Sequence, residues 1–477
     1  VSAREQRVRD AHGGFMTQTS ADAKNILVVG AGPVGLVLAI LLARRGHKVS
    51  VVERRPDMRH RDVERGRSIN LALSDRGFRA LDLVGARDIV MRDALPMRGR
   101  QIHDESGRES FQPYSTGDHA IYSVSRGGLN TTLLEHAAHE ANISLFFEHR
   151  CLDVDMAGPS VRFQTADGDV VKMAADIVFG ADGAGSAVRA SMLTTERFNY
   201  SIDWLEHGYK ELTIPAAEAG AFQLEKGALH IWPRGNYMLI ALPNTDGSFT
   251  CTLFMPFEST QDDVPAFEEL KTVDEARALF TRVFKDALAK MPSFDHDFFA
   301  NPTAPLGIVR CSPWHRGEKV CLIGDAAHAI VPFYGQGLNA GFEDVTVFTH
   351  ILDDEGGDFS LAIPRFSRER KHDGDAIAEL ALYNFVEMRD RVKDPRFVLQ
   401  KKIEGKIARK FGERYTPLYS MVTFSHRPYR EALAYGRAQE ALMQEILALP
   451  DVEKRWDDDA FWPSIVSKVE AFLAHRR

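Results

Sequence analysis

Six residues, Gly30-Ala31-Gly32-Pro33-Val34-Gly35, follow an apolar run from Ile26 to Val29 and lead into a stretch rich in leucine and alanine. This is the G-x-G-x-x-G spacing in the strand, turn and helix context that gives it meaning. The first glycine permits the tight turn, the second lets a pyrophosphate approach the backbone, and the third lets the helix pack on the strand. The helix start then offers unpaired N–H groups and the positive end of its dipole to phosphate. Glu53 stands eighteen residues after Gly35, at the end of a second apolar run beginning at Lys48. A carboxylate there accepts from both ribose hydroxyls, so the pattern predicts a dinucleotide site. It does not choose between a flavin and a nicotinamide nucleotide. Two more apolar runs end in Gly/Asp turns: Ala175 to Gly180 meets Ala181-Asp182-Gly183, and Lys319 to Gly324 meets Asp325. One such turn is common at a strand end. Several in one chain predict a discontinuous α/β domain.

The elements between these runs have another rhythm. Met97 to His103 with Arg108 to Tyr114, and Tyr237 to Pro243 with Phe249 to Pro256, read as hairpins of a separate, mostly antiparallel sheet. Met238, Ile240 and Leu242 fall on one face of a strand, and Thr250, Thr252 and Phe254 alternate on its partner, as a pocket wall or core requires. Val273 to Met291 and Ile363 to Lys410 carry apolar residues at helical spacing. Ile26 to Ala43 is eighteen residues without a charge, near the lower limit for crossing a bilayer, but its three glycines and Pro33 argue against a span. The formal charge of −8 argues against nucleic-acid binding. Cys151, Cys251, Cys311 and Cys321 are too scattered for a disulfide framework, and the histidines form no metal-ligand cluster.

The chain resembles the aromatic-ring-hydroxylating flavoprotein monooxygenases, through Gly180-Ala-Asp182-Gly183-Ala-Gly185-Ser-Ala-Val-Arg189, Gly324-Asp325-Ala-Ala-His328, Pro332 and Gly335-Gln-Gly337-Leu-Asn339. Within that family it is similar to the members that hydroxylate kynurenine, through Arg65-Gly-Arg67-Ser-Ile-Asn70, Met97-Arg98-Gly-Arg100, Gln112-Pro-Tyr114, Tyr122-Ser-Val-Ser-Arg126, His207-Gly-Tyr209, Leu229-His230-Ile-Trp232, Tyr383-Asn384-Phe-Val-Glu387-Met388 and Tyr419-Ser-Met-Val-Thr-Phe424. The resemblance implies an FAD-binding Rossmann-like domain, a substrate-binding sheet and C-terminal helices. It assigns Gly30, Gly32, Gly35, Glu53, Arg54, Arg126, Asp182, Asp325, Gly337 and Asn339 to the cofactor. Arg100, Tyr114, Asn384 and Tyr419 are to hold a substrate carboxylate, with a planar guanidinium pairing bidentately. The pocket wall is then Leu229, Met238, Ile240, Leu242, Phe254, Phe333 and Met388, for each of which ordinary core packing is the alternative.

The implied reaction is conversion of L-kynurenine to 3-hydroxy-L-kynurenine with NADPH and dioxygen, through a flavin C4a-hydroperoxide. The aniline already activates the ring, so no acid or base residue is expected, and no metal. The alternatives are a related hydroxylase with another aromatic or isoprenoid substrate, and a non-catalytic flavoprotein-fold binding module. Arg100 with Tyr114 and Asn384 favours an amino-acid substrate, whereas Glu53, Asp182 and Asp325 oppose the module. Tyr334 stands where relatives are expected to carry histidine or phenylalanine. The expected division is a disordered leader at 1–24, FAD-binding segments at 25–195 and 301–390, with hairpin 97–114 joining the substrate sheet of 196–300, and a helical region at 391–477. A cytoplasmic protein without a membrane anchor, as a homodimer, is expected, with its last helix over the active site or another subunit.

Overall fold

The computed structural model describes residues 23–60, 70–115, 117–259, 264–391 and 394–474; the leader to residue 22 and the Arg65-Gly-Arg67 motif lie outside them. Asn25–Val29 is an inner strand of a six-stranded sheet, in the order His315–Arg316, Val320–Leu322, Ile177–Gly180, Asn25–Val29, Lys48–Val52 and Ile143–Phe146. All neighbours pair in parallel except at the His315–Arg316 edge. Ile26 to Val29 are buried on both faces, which is why they read as a continuous apolar run. The helix Pro33–Arg44 follows, with Pro33 at the position where a missing N–H costs no helical bond. A Cβ at Gly35 would come 2.2 Å from the Gly30 carbonyl oxygen, so this helix reaches its strand only with glycine there. The uncharged eighteen-residue run is thus a buried strand, turn and helix, and no helix among the described residues is long and apolar enough to cross a membrane.

A second sheet has seven strands, in the order Ala304–Ser312, Asn199–Ile214, Phe249–Pro256, Met238–Pro243, Ala228–Pro233, Gly99–His103 and Glu109–Pro113. Its pairs are antiparallel apart from Ala228–Pro233 with Gly99–His103. Ala304–Ser312 is an edge strand of this sheet, which corrects the expected boundary at residue 300. Only two residues separate that strand from His315–Arg316 in the parallel sheet, so no change of composition marks the crossing. Two three-stranded sheets were also not anticipated: Arg150–Asp155, Ser160–Gln164 and Val170–Ala174 form one, and Leu71–Leu73, Ile121–Val124 and Leu95–Met97 the other.

Val273–Val283, Lys285–Leu288 and Phe294–Ala300 cover one face of the seven-stranded sheet through a core that includes Leu212, Trp232, Leu253 and Phe280. The other face meets the helix Phe359–Val386. That helix does not run on to Lys410. It ends in a π-helical turn, Glu387–Arg391, and the chain restarts as Pro395–Phe411 behind the N-cap Asp394. Such π turns occur frequently at functional sites. The last helix, Trp462–Ala474, buries Ile465 and Val469 in a core with Leu442, Met443 and Ile446 of Tyr429–Leu447, so it packs on its helical neighbours.

Candidate active site

The glycine turn lies between two strand ends. A Cβ on Gly30 would meet the Ala181 carbonyl oxygen at 2.5 Å, whereas one on Gly32 would meet nothing within 4 Å. Gly30 and Gly35 therefore close the turn, and Gly32 leaves its open side free. Glu53 is buried at the end of its strand, and its Oε2 accepts from the Ala31 N–H at 3.0 Å. Burial favours the neutral carboxyl, but Arg55 outweighs it and holds Glu53 below its usual pKa. Arg55 engages Glu53 at 2.8 Å, and its neighbour Arg54 is exposed beside it.

Asp325 opens the short helix Asp325–His328 after Gly324, whose φ of +63° favours glycine. Its carboxylate keeps solvent access and accepts no hydrogen bond from the described residues, yet surrounding protein mass raises its pKa, with His328 and Arg126 opposing. Arg126 is exposed at the start of Arg126–His139, and its charge also acts on Tyr209 and Glu211 of the substrate sheet.

Two expected cofactor side chains are committed elsewhere. Asp182 accepts from Ser186 Oγ at 2.5 Å and from the N–H groups of Ala187 and Val188 at 2.7 and 3.3 Å, so both its oxygens cap the helix Ala187–Met192. Asn339 Oδ1 accepts from the Ser74 N–H at 2.9 Å, and its Nδ2 donates to the carbonyls of Ala72 and Gly335 at 2.8 Å. These three hydrogen bonds, of the four an amide side chain can make, tie the helix Gly337–Asp354 to the strand Leu71–Leu73. Gly337 opens that helix, with no described side chain closer than 3.8 Å to where a Cβ would stand.

The expected substrate residues come together. Arg100 pairs with Leu229 across the sheet, Met238 with Phe254, Ile240 with Thr252 and Leu242 with Thr250. These registers set Arg100 and the apolar side chains on one face. Met238, Phe254, Phe333 and Met388 share a core with Leu229 and Ile240 at its edge, and Leu242 and Tyr114 form a small adjoining core with the same two residues and Tyr419. Phe333 stacks on Phe385 at 4.0 Å and meets Phe254 at 4.8 Å. Tyr419 lies stacked between Tyr114 at 4.8 Å and Tyr334 at 5.4 Å. The Arg100 guanidinium sits 5.2 Å from the Tyr419 ring and 5.8 Å from the Tyr114 ring. Burial raises the pKa of all three tyrosines, so each hydroxyl is neutral. The Tyr114 hydroxyl and Arg100 Nε are buried and make no hydrogen bond of good geometry among the described residues, although the hydroxyl lies close to Arg100 and Tyr419.

Glu387 was not anticipated as a site residue. Arg100 donates from Nη1 to Glu387 Oε1 at 2.9 Å and from Nη2 to Asn384 Oδ1 at 3.2 Å. Lys401 stands 3.7 Å from the same carboxylate. Burial would raise the Glu387 pKa, but Lys401 and Arg100 hold it below the usual range, and Glu387 in turn raises that of Arg100 against the opposing effect of burial. The available signal was the spacing of Asn384, Glu387 and Met388, which are neighbours on a helical surface. Asn384 Nδ2 donates to the Phe333 carbonyl at 2.7 Å, so the residue also joins this helix to the loop carrying Phe333.

Comparison with known proteins decides the family. The sequence matches the family described as an FAD binding domain over residues 23–354. The kynurenine 3-monooxygenase of Flavobacterium psychrophilum is 46% identical over 445 residues, which cover 93% of this chain and 98% of that protein. The chain belongs to the kynurenine 3-monooxygenase family. The relative from Sus scrofa is 41% identical over 434 residues, covering 91% of this chain and 90% of that one. Among solved structures, the fold matches PqsL of Pseudomonas aeruginosa in complex with 2-aminobenzoylacetate, with a TM-score of 0.62, 22% identity, and 77% and 97% of the two chains covered. It also matches the tetrameric form of 2-methyl-3-hydroxypyridine-5-carboxylic acid oxygenase, with a TM-score of 0.58, 21% identity and coverage of 81% and 97%.

This family is one of FAD-dependent oxidoreductases, and the donor set fits the cofactor. The open side of Gly32 admits a pyrophosphate, Glu53 is ionised at the strand end, and the partnerless Asp325 offers an acceptor for hydroxyls. Among the described residues, no group of three or more His, Cys, Asp or Glu is placed to hold a metal ion.

Proposed function

We propose that this chain hydroxylates L-kynurenine at the ring carbon ortho to the aniline nitrogen, consuming NADPH and dioxygen. The observation that carries this reading is Arg100. It is a buried guanidinium with a free Nε, held by Asn384 and set beside a buried tyrosine hydroxyl, at one end of the apolar cluster expected to face the substrate. An amino-acid carboxylate meets those donors directly, with Tyr114 and Tyr419 flanking it, and a neutral isoprenoid would leave them unpaired.

FAD, when bound through Gly30, Gly32, Gly35, Glu53 and Asp325, supplies the activated oxygen and the electron transfer. The chain's own residues supply position and dryness. Arg100, oriented by Asn384 and flanked by Tyr114, anchors the amino-acid end, so the aryl ring extends along Leu229, Ile240, Leu242, Met238, Phe254 and Phe333. Fixing both ends removes the orientational freedom that would otherwise oppose reaction at a single ring carbon. The apolar walls exclude water, which protects the reactive oxygen from wasteful decay. The aniline nitrogen activates the ring, so no side chain need remove a proton from the substrate. Arg126, exposed in the cleft, is suited to the cofactor's phosphates. NADPH then approaches the same cleft transiently. A reducing cytoplasm suits four cysteines that are all free thiols, three of them buried.

The test is NADPH oxidation by the FAD-loaded protein with and without L-kynurenine, with products identified by mass. Strong stimulation and a product heavier by one oxygen atom support the reading. Stimulation with hydrogen peroxide as the only product would make kynurenine an uncoupling effector, and no stimulation would direct attention to another carboxylate-bearing substrate.

A further inference from the structure

A cavity of about 200 Å³ lies among the helices Phe359–Val386, Pro395–Phe411, Leu418–Thr423 and Tyr429–Leu447. It shares Tyr334, Asn384, Glu387 and Tyr419 with the Arg100 site, and it also reaches the exposed ion pair of Glu379 with Arg437. One end therefore borders the candidate substrate pocket and the other borders solvent.

The polar groups of this chamber are unevenly supplied with donors. Glu379, Glu387, Glu404 and Glu440 line it against Lys401 and Arg437, and with Arg100 paired to Glu387 from behind, one carboxylate is left over among these groups. Lys401 is divided between Glu404 at 3.3 Å and Glu387 at 3.7 Å, and Gln400 Nε2 donates to Glu440 at 3.0 Å. Gln439 is 2% exposed, and its Nε2 donates to the Thr416 carbonyl at 2.8 Å, leaving Oε1 buried with no donor. The same negative field is felt by Tyr383, whose hydroxyl is pushed up to about 12 by burial and then by Glu440 and Glu387. Between the carboxylates stand Leu380, Leu418, Leu433 and Met443, an apolar lining for a short hydrocarbon stem.

We propose that this chamber is a second binding site, for the primary ammonium group of an aliphatic amine or amino acid, separate from the carboxylate site at Arg100. An ammonium brings three donors and no acceptor, the complement of a buried amide oxygen among surplus carboxylates. A carboxylate or phosphate would add acceptors and negative charge where both are already in excess. The inference stands on the chamber's own groups and does not require that kynurenine be the substrate.

The test is calorimetric titration of the FAD-loaded protein with n-butylamine hydrochloride, beside n-butanol as the neutral analogue and butyrate as the anion. The amine is expected to saturate one site at roughly tenfold or more greater affinity than the alcohol, with butyrate silent. Glu404→Gln removes a carboxylate and Leu433→Trp fills the chamber from its helical wall; each should weaken the amine about tenfold with flavin absorbance retained. Should Glu404→Gln fold poorly by thermal melt, Leu433→Trp carries the test alone. Equal affinity for amine and alcohol, or amine binding unchanged in folded Leu433→Trp, would overturn the proposal. Steady-state kinetics then separates two sources of the ammonium: a raised KM for kynurenine at constant kcat places the chamber on the substrate's path, and an unchanged KM marks a free amine as its ligand. Amine binding without kynurenine turnover would leave this site standing and remove the hydroxylation reading.

Discussion

Removing the Arg100 guanidinium should separate substrate binding from flavin binding. In Arg100→Met, the substrate loses a bidentate, charge-assisted partner in a buried site. At a separation near 4 Å and an effective dielectric near 20, such a pair interacts by about 4 kcal/mol. Truncating one partner of a buried hydrogen-bonded charge pair costs about 2–5 kcal/mol. At about 1.4 kcal/mol per tenfold, KM for kynurenine should rise by roughly 30- to 3,000-fold. Stability should also fall, because Glu387 then loses its nearest cation and keeps Lys401, 3.7 Å away, as its ion-pair partner among the described residues. The expected loss is about 3 kcal/mol, much of it recovered in Arg100→Met/Glu387→Met, where no unpaired carboxylate is left buried. Kinetics should not recover with stability in the double variant. The assay is NADPH oxidation over a wide kynurenine range, with flavin content read from its absorbance and stability from urea unfolding. A KM within about threefold of the parent, in folded flavin-loaded Arg100→Met, would refute the assignment of Arg100 to the substrate. Loss of flavin in that variant would instead make Arg100 part of the scaffold.

The glycine turn offers a contrast between two alanines: Gly35→Ala should destabilise the flavin-free protein because its Cβ meets the Gly30 oxygen, while Gly32→Ala should melt normally and fail to retain FAD. Thermal melts of the stripped proteins with flavin titrations check this pair. Asp325→Asn should leave folding unchanged, since Asp325 holds no other group, and weaken FAD by about 1.5–3 kcal/mol, roughly ten- to a hundredfold, in an equilibrium flavin titration. Buried His230 has its pKa lowered to about 4 by burial, so the unfolded chain binds its proton first as pH falls. The stability it contributes is present above pH 6.5 and is lost on descent to about 4, by roughly 3 kcal/mol. Urea unfolding across that range should show a shallower slope in His230→Asn, and an unchanged slope would remove the residue from the account.

The cofactor half of the site was legible because its chemistry is local. Glycine spacing, a following helix and Glu53 at a strand end are all contained between Ile26 and Glu53, and backbone geometry alone explains each residue. Asp182 and Asn339 show where that legibility stops. Each stands in a recognisable motif, but the protein groups it also holds, Ala187 and Val188 for one and Ala72 and Ser74 for the other, are not written in that motif.

The alternation of apolar residues placed Met238, Ile240 and Leu242 on one face before any sheet was known, since strand periodicity is a property of the covalent chain. That face meets Arg100 only through pairing of distant strands, when Leu229 comes beside Arg100. The pairing of Arg100 with Glu387, 287 positions along, depends on how a helix and its π turn dock on the sheet. The edge strand Ala304–Ser312 likewise belongs to its sheet by hydrogen bonding to Asn199–Ile214, which local composition does not record. Periodicity and turn chemistry act between near neighbours and are written in order along the chain. The charge balance around Arg100, the stacked tyrosines and the donor-poor chamber behind Asn384 arise from contacts between distant segments, and those exist only once the domains have packed.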